Sequence, residues 1–320
     1  TSRELTGFNI LNTEMAQDLD VLTNLLDSLL EVDPEGKVAP AMAEEWGTED
    51  GGKTWTFHIR EGVKWVDVNG NEKADVTAQD WITGLEWVVN YHKNGAANTS
   101  MPFDLIEGAE DYYNYTKELS KEEALALDKS VFLDMVGIEA PDDYTLVYTC
   151  TKPAPYFDTV ATSACLYPAP QGLIDEVGAE NFIAINNENM WYNGCYTMTS
   201  YTQGNEKILT KNASYWDQEA SLFDTVTIKM VESYDVAYQL YQTGEIDWVQ
   251  LTESNLKTIN DSESNEYHDQ LAEMRPRKYS YQIHFNFDKR FEDTTPDENW
   301  NKAAANEAFR LAWYYGLDLT

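Results

Sequence analysis

The sequence predicts an α/β fold divided into two or more lobes, and three observations predict it. A chain of 320 residues exceeds what one simple hydrophobic core organises, so separate cores are the default expectation. Stretches of period-two alternation recur along the chain, the mark of half-buried strands. Between residues 225 and 249 a strand pattern, a helix pattern and a second strand pattern follow one another, the order that lays a crossover helix on a sheet.

Composition narrows the class. Hydrophobic residues make up 42% and aromatics 13%, enough apolar surface to offset chain ordering and to exclude a disordered acidic chain. With 56 acidic against 22 basic side chains the formal charge is −34, a field that repels nucleic acid and anionic lipid surfaces. Such acidity serves solubility outside the cell or attracts cationic ligands. The three cysteines (Cys150, Cys165, Cys195) are odd in number and lack CxxC spacing, so they read as small core residues and not as a disulfide framework or zinc site. No run of 18 apolar residues and no start resembling a signal peptide occurs, as in a mature or trimmed product.

The elements follow in order. In TWTFHIREGVKW, Trp55, Phe57 and Ile59 alternate with Thr54, Thr56 and His58, which predicts a strand with one core face. Asn69-Gly70 predicts a tight turn, since both residues tolerate positive φ. In VTAQDWITGLEWVVNYH, Thr77 and Asp80 have capping-box spacing and Trp81, Leu85, Val88 and Val89 recur at helical intervals. Residues 95–129 hold no sustained period and read as loops and short helices. PDDYTLVYT reads as a turn feeding a strand, and Pro153, Pro155, Pro168 and Pro170 mark an irregular crossover with a lobe boundary near Pro170. Strands are expected at NGCYTMTSY, EKILTK and FDTVTIKMV, then a helix from Tyr234 to Thr243 capped by Ser233 and ended by Gly244, then a strand at EIDWV. A helix from Glu253, a strand over KYSYQIHFNF and a helix around NEAFRLAWYYGL complete the pattern.

Taken together, AMAEEW, TWTFHIREGVKW, VTAQDW, PDDYTLVYTCTKPAPYF, NGCYTMTSY, NASYWD, TGEID, HFNFD and FRLAWYYGLD closely resemble, in order and spacing, the bacterial extracellular solute-binding proteins that include oligopeptide, dipeptide and nickel receptors. The pattern is most similar to the oligopeptide type. The resemblance covers essentially the whole chain and implies a periplasmic-binding-protein-like fold (type II) with discontinuous lobes: residues 1–26 with 171–252 as the first lobe, 27–170 as an inserted subdomain, and 253–320 as the start of a second lobe. Family chains continue past the point matching Thr320, which implies that this sequence stops inside the second lobe. It also implies a receptor outside the cytoplasm, in the periplasm or lipid-anchored at the cell surface, that captures a peptide for the permease subunits of an ABC importer. A monomer without cofactor or metal is implied as well.

Relatives clasp an extended peptide by strand addition and water-mediated contacts. The resemblance then nominates Glu14, Met15 and Ala16 in NTEMAQD, with Glu14 meeting a ligand ammonium or backbone N–H or simply standing as an exposed acid. Gln250 and Leu251 follow EIDWV beside the hinge, or are ordinary loop. In YSYQIHFNF, alternation separates Gln282 and His284 from Ile283 and Phe285, and the polar pair falls where relatives face the ligand. His284 titrates near neutral pH if unperturbed, or is a satisfied structural histidine. Phe103 in SMPFD packs over the peptide or into the core.

Enzymatic readings find little to stand on. No GxSxG, HExxH, GxGxxG or Walker pattern occurs, and His58, His92, His268 and His284 lack metal-ligand spacing. DVNGNE begins like a calcium loop at Asp67, Asn69 and Asn71, but carries Glu72 where glycine and Ala78 where glutamate are needed. The alternatives are an oligosaccharide or other small-solute receptor on the same scaffold, motivated by aromatic richness, a sensory role coupled to a membrane receptor and, remotely, a glycoside hydrolase with a carboxylate pair.

Overall fold

The structure, a computed structural model, describes residues 3–95, 97–261, 264–274 and 282–317. The chain divides into two compact units, Thr1–Glu273 and Met274–Thr320.

In the first unit, helix α1 (Ala16–Leu22) precedes the hairpin of β1 (Leu30–Val32) and β2 (Val38–Pro40). The strand predicted from TWTFHI forms as β4 (Thr54–Ile59), antiparallel to β3 (Ala43–Gly47). Trp55, Phe57 and Ile59 are buried as the alternation requires. β5 (Lys64–Val66) and β6 (Glu72–Asp75) form a hairpin whose turn holds Gly70 at φ +81. The Asp67 carboxylate accepts the amide N–H groups of Asn69 and Asn71, so this DVNGNE segment is an Asx-type turn.

Helix α2 (Ala78–Val89) starts where the capping box predicts, the Asp80 carboxylate accepting the Thr77 N–H at 3.0 Å. The same carboxylate accepts Trp65 Nε1 at 2.9 Å, so the cap also ties β5 to the helix. Trp81, Leu85, Val88 and Val89 are buried, and so is Glu86, satisfied by Lys93, Asn90 and the Tyr112 hydroxyl. One flank of α2 meets β7 (Ile138–Asp142) and β8 (Thr145–Thr149), and another meets the helix Ala109–Glu118. That helix, within the stretch read as loops and short helices, buries Ala109, Tyr112 and Thr116 at i, i+3 and i+7, a stripe diluted in sequence by acids and tyrosines.

The sheet order β3-β4-β8-β7 is antiparallel throughout, with Trp55 opposite Tyr148 and Phe57 opposite Leu146. A second antiparallel sheet runs β11-β10-β9, from β9 (Tyr196–Thr202), β10 (Glu206–Lys211) and β11 (Thr225–Lys229). One hydrophobic cluster passes from Leu5 and Phe8 through α2 to Met198 and Leu209, without a break near Pro170.

Two strand expectations are corrected. The helix Tyr234–Gln242 forms with the Ser233 cap and Gly244 at φ +73, but Glu245–Val249 forms no strand, so the crossover unit is absent among the described residues. Trp248 is 67% exposed there, because alternation marks a surface that a sheet must still complete. Of the strand over KYSYQIHFNF, residues 278–281 lie outside the described residues, and 282–287 are irregular with no ladder partner described. The helices expected from Glu253 and around NEAFRLAWYYGL form as Glu253–Asn260, capped by Thr252, and Glu307–Gly316, capped by Asn306. In the second unit the latter follows Glu298–Ala305, and Phe285, Trp300, Phe309 and Trp313 pack edge to face with centroids 6.1 to 6.5 Å apart. No described helix is long and apolar enough to cross a membrane.

Cys150 and Cys165 are buried and Cys195 half-buried, all as free thiols. Burial pushes the Cys165 and Cys195 thiols up to about 12 and Cys150 up to about 11, so thiolate is scarce at neutral pH. Iodoacetamide at pH 8 is therefore expected to label the folded protein on the order of a hundredfold more slowly than the urea-unfolded chain. Rapid labelling of any of the three before unfolding would contradict this packing.

Candidate functional site

The loop entering α1 is held from behind by buried polar groups and open in front. Thr13 and Asp18 are 6% and 0% exposed, whereas Glu14, Met15 and Ala16 face solvent. Asp18 accepts the Thr6 N–H at 2.8 Å, the Thr6 hydroxyl, and the Thr13 hydroxyl at 2.6 Å. That Thr13 oxygen in turn accepts the Met15 N–H at 3.1 Å, so one buried carboxylate fixes both ends of the exposed turn. Three buried asparagines complete the support. Asn9 caps the short turn Ile10–Asn12 and donates to Phe182 O, Asn94 donates to Leu11 O, and Asn98 donates to both Leu11 O and Thr13 O. Glu14's own amide and carbonyl make no hydrogen bond among the described residues. The result is a ledge that presents the free N–H, C=O and carboxylate of Glu14 on a main chain held on either side.

The segment before the ledge is anchored on β10 and its turn. Lys207, fully buried, meets Glu4 at 2.6 Å, and Phe8 stands edge-on to Tyr201 at 5.0 Å. Burial disfavours the Glu4 carboxylate, but Lys207 with the Gly204 and Leu5 amides outweighs it and holds the group at about 2.

Of the nominated residues, Glu14, Met15 and Ala16 share this ledge. Phe103, on the helix Ser100–Leu105, is half-buried and packs edge-on against Tyr113 at 4.9 Å. Gln250 and Leu251 lie in the irregular link ahead of the helix Glu253–Asn260, Gln250 exposed and Leu251 half-buried. Gln282 and His284 are exposed in the second unit. Sequence reasoning missed Asp18, Asn94 and Asn98. The asparagines reach the loop by tertiary contacts, Asn98 bonding Thr13 across 85 positions, whereas Asp18 bonds Thr13 from five positions away in the first turn of α1 and offered the one local hint.

A second polar cluster explains the blocks AMAEEW and NASYWD. Asp27, at the start of the chain's passage to β1, accepts Trp216 Nε1 at 2.9 Å, and Arg60 lies 3.9 Å over the Trp216 ring while donating to Ala41 O. Asn212 donates to Gly194 O. Burial pushes the Asp27 carboxyl up to about 7, against the opposing Trp216 and Tyr215 hydrogen bonds. These residues join segments far apart in sequence and are structural. Among the described residues no group of three His, Cys, Asp or Glu side chains converges as metal ligands would.

Comparison with known proteins agrees with this architecture. A family model described as bacterial extracellular solute-binding proteins, family 5 Middle, matches residues 37–320. The oligopeptide-binding protein SarA of Streptococcus gordonii is 27% identical over 323 aligned residues, covering 98% of this chain and 46% of that protein. Among solved structures, Haemophilus influenzae OppA in complex with RPPGFSPFR superposes with a TM-score of 0.64 at 28% identity, covering 77% of this chain and 44% of that one. Listeria monocytogenes OppA bound to peptide gives 0.68 at 26% identity, covering 82% and 48%. The chain thus spans about half the length of the relatives it matches, and its α/β fold is the one these two-lobed receptors share.

Proposed function

The chain belongs to the bacterial extracellular solute-binding proteins, family 5, and from that premise we propose that it is part of a receptor that captures oligopeptides outside the cytoplasm for an ABC importer and catalyses no reaction. The observation that carries the reading is the alignment of 98% of the chain with an oligopeptide-binding protein. The ledge at Glu14–Ala16 supports it, since Glu14's unpaired N–H and C=O beside its carboxylate suit an extended peptide with its N–H groups or terminal ammonium. The lobe assignment given by the resemblance, 1–26 with 171–252, 27–170, and 253–320, goes with this proposal, as do membrane permease subunits as partners. Gln250, Leu251, Gln282 and His284 are proposed as further ligand contacts.

In this mechanism a peptide contacting two lobes favours their closed state by its differential affinity for that state. Calorimetry of the intact protein with a pool of short unmodified peptides is expected to give binding heat. Substituting Glu14→Gln should weaken binding by about tenfold, the scale of one charge-assisted hydrogen bond. N-acetylated peptides distinguish the two roles of Glu14: equal loss with acetylated and free peptides assigns it to a backbone N–H, and loss confined to free peptides assigns it to the ammonium.

A second reading, an oligosaccharide receptor, is favoured by one observation, the 67% exposure of Trp248 next to Gln250 and Leu251, a face on which a sugar ring could stack. Heat with oligosaccharides and none with any peptide would replace the first reading by the second.

A further inference from the structure

We propose that Asn98 is the positioning residue of the ligand-binding ledge, acting through the main chain of Leu11 and Thr13; the inference rests on the reading of Glu14–Ala16 as ligand contacts. Asn98 adopts φ +56, a left-handed conformation that glycine would occupy with least strain. Asparagine at such a position is explained by what its side chain bonds, in a residue that is only 8% exposed. The two hydrogens of its amide nitrogen match two carbonyls, Leu11 O and Thr13 O, each at 2.9 Å. Asn94 adds a donor to Leu11 O at 3.0 Å.

The placement of these bonds separates a positioning role from ordinary packing. They stop at Thr13, one residue before the exposed Glu14, and beyond Glu14 the Asp18–Thr13–Met15 relay takes over. Both neighbours of Glu14 are therefore fixed while its own N–H and C=O stay unpaired among the described residues. A ligand that pairs with this main chain meets a conformation already ordered, and the ordering cost is not charged against binding. The residue comes from the middle of the chain, so the segment 27–170 would set the affinity of a ledge in the first 26 residues.

Asn98→Gly tests this directly, because glycine keeps the positive φ and removes the side-chain amide with its two donors. In the intact protein we expect peptide affinity, measured with a pool of short unmodified peptides, to fall by about tenfold while the unfolding midpoint moves by only a few degrees. Asn98→Asp, which sets a carboxylate against two carbonyls, should lose more. Thr13→Val should weaken binding and speed exchange of the Met15 amide, whereas Thr13→Ser, which keeps the hydroxyl, should restore both. Unchanged affinity in Asn98→Gly, alongside weakened binding in a Glu14→Gln, Met15→Ala double variant, overturns the inference and leaves the ledge reading standing. If the double variant binds as the wild type does, the ledge reading fails and the inference falls with it.

Discussion

Replacing Gly108 by alanine is expected to leave the protein largely unfolded, and replacing Gly84 should cost about 1–2 kcal/mol net, because at both positions a methyl group meets backbone that cannot retreat. Gly108 opens the helix Ala109–Glu118 at φ +72, and an added Cβ would lie 1.8 Å from Met135 O. Left-handed strain and overlap act in the same direction there. Gly84 is the more instructive case because two effects oppose. In the interior of α2, alanine gains roughly 1 kcal/mol of helix propensity over glycine. Its Cβ would however lie 2.3 Å from Tyr167 O, and that extended segment is held against the helix by Ala169 N–H donating to Asp80 O at 2.9 Å. Relief requires two buried segments to part by about an ångström, at a typical overpacking cost of 1–3 kcal/mol or more, so the contact outweighs the propensity. Gly47→Ala is the control, with nothing within 4 Å of its Cβ and an ordinary φ. Urea titration of the three variants decides the matter: a Gly84→Ala protein at least as stable as wild type would mean that the helix does not press on residues 167–169.

That glycine also marks how far the sequence could be read. The helix around it was legible, since Thr77, Asp80 and the Trp81–Leu85–Val88 stripe act within one or two turns. The same holds for β4, the turn at Gly70, and the Ser233 and Gly244 helix boundaries. What crosses α2 at Gly84 was not legible, because the partner lies more than eighty positions away. Failures follow the same division. Ile246, Trp248 and Val249 look like a strand, yet a strand exists only in a ladder, and none is described beside them. The helix from Ala109 was obscured because Tyr112 and Thr116, rather than aliphatic residues, form its buried stripe. At the candidate site, Glu14, Met15 and Ala16 were reached through likeness to a family, while Asn94 and Asn98, which support them from more than eighty positions away, left no local trace.

The stability of the protein should fall as pH rises from about 4 to 7, and Asp27→Asn should abolish much of that fall. The unfolded carboxyl titrates near 3.8, whereas burial beside Trp216 raises the folded one to about 7. Between those values the folded state retains a proton that the unfolded state has released, so each pH unit removes stability, up to about 4 kcal/mol in all by linkage. Above pH 7 both states are ionised and the loss is complete. Asp80, raised by burial to about 6, adds a smaller loss in an overlapping window. Glu4 has the opposite sign: held at about 2 by Lys207, it contributes stability that is full above pH 4.5 and lost as pH falls through 2. The two trends place the stability maximum near pH 4–5, on the acidic side of the usual range. Asparagine at position 27 retains an acceptor for Trp216 Nε1 and carries no charge to bury. The variant should match wild type within about 1 kcal/mol at pH 4 and exceed it by about 2–4 kcal/mol at pH 8. Chemical denaturation at the two pH values reads this difference, and parallel profiles for wild type and Asp27→Asn would show that the carboxyl at position 27 is hydrated in the folded protein.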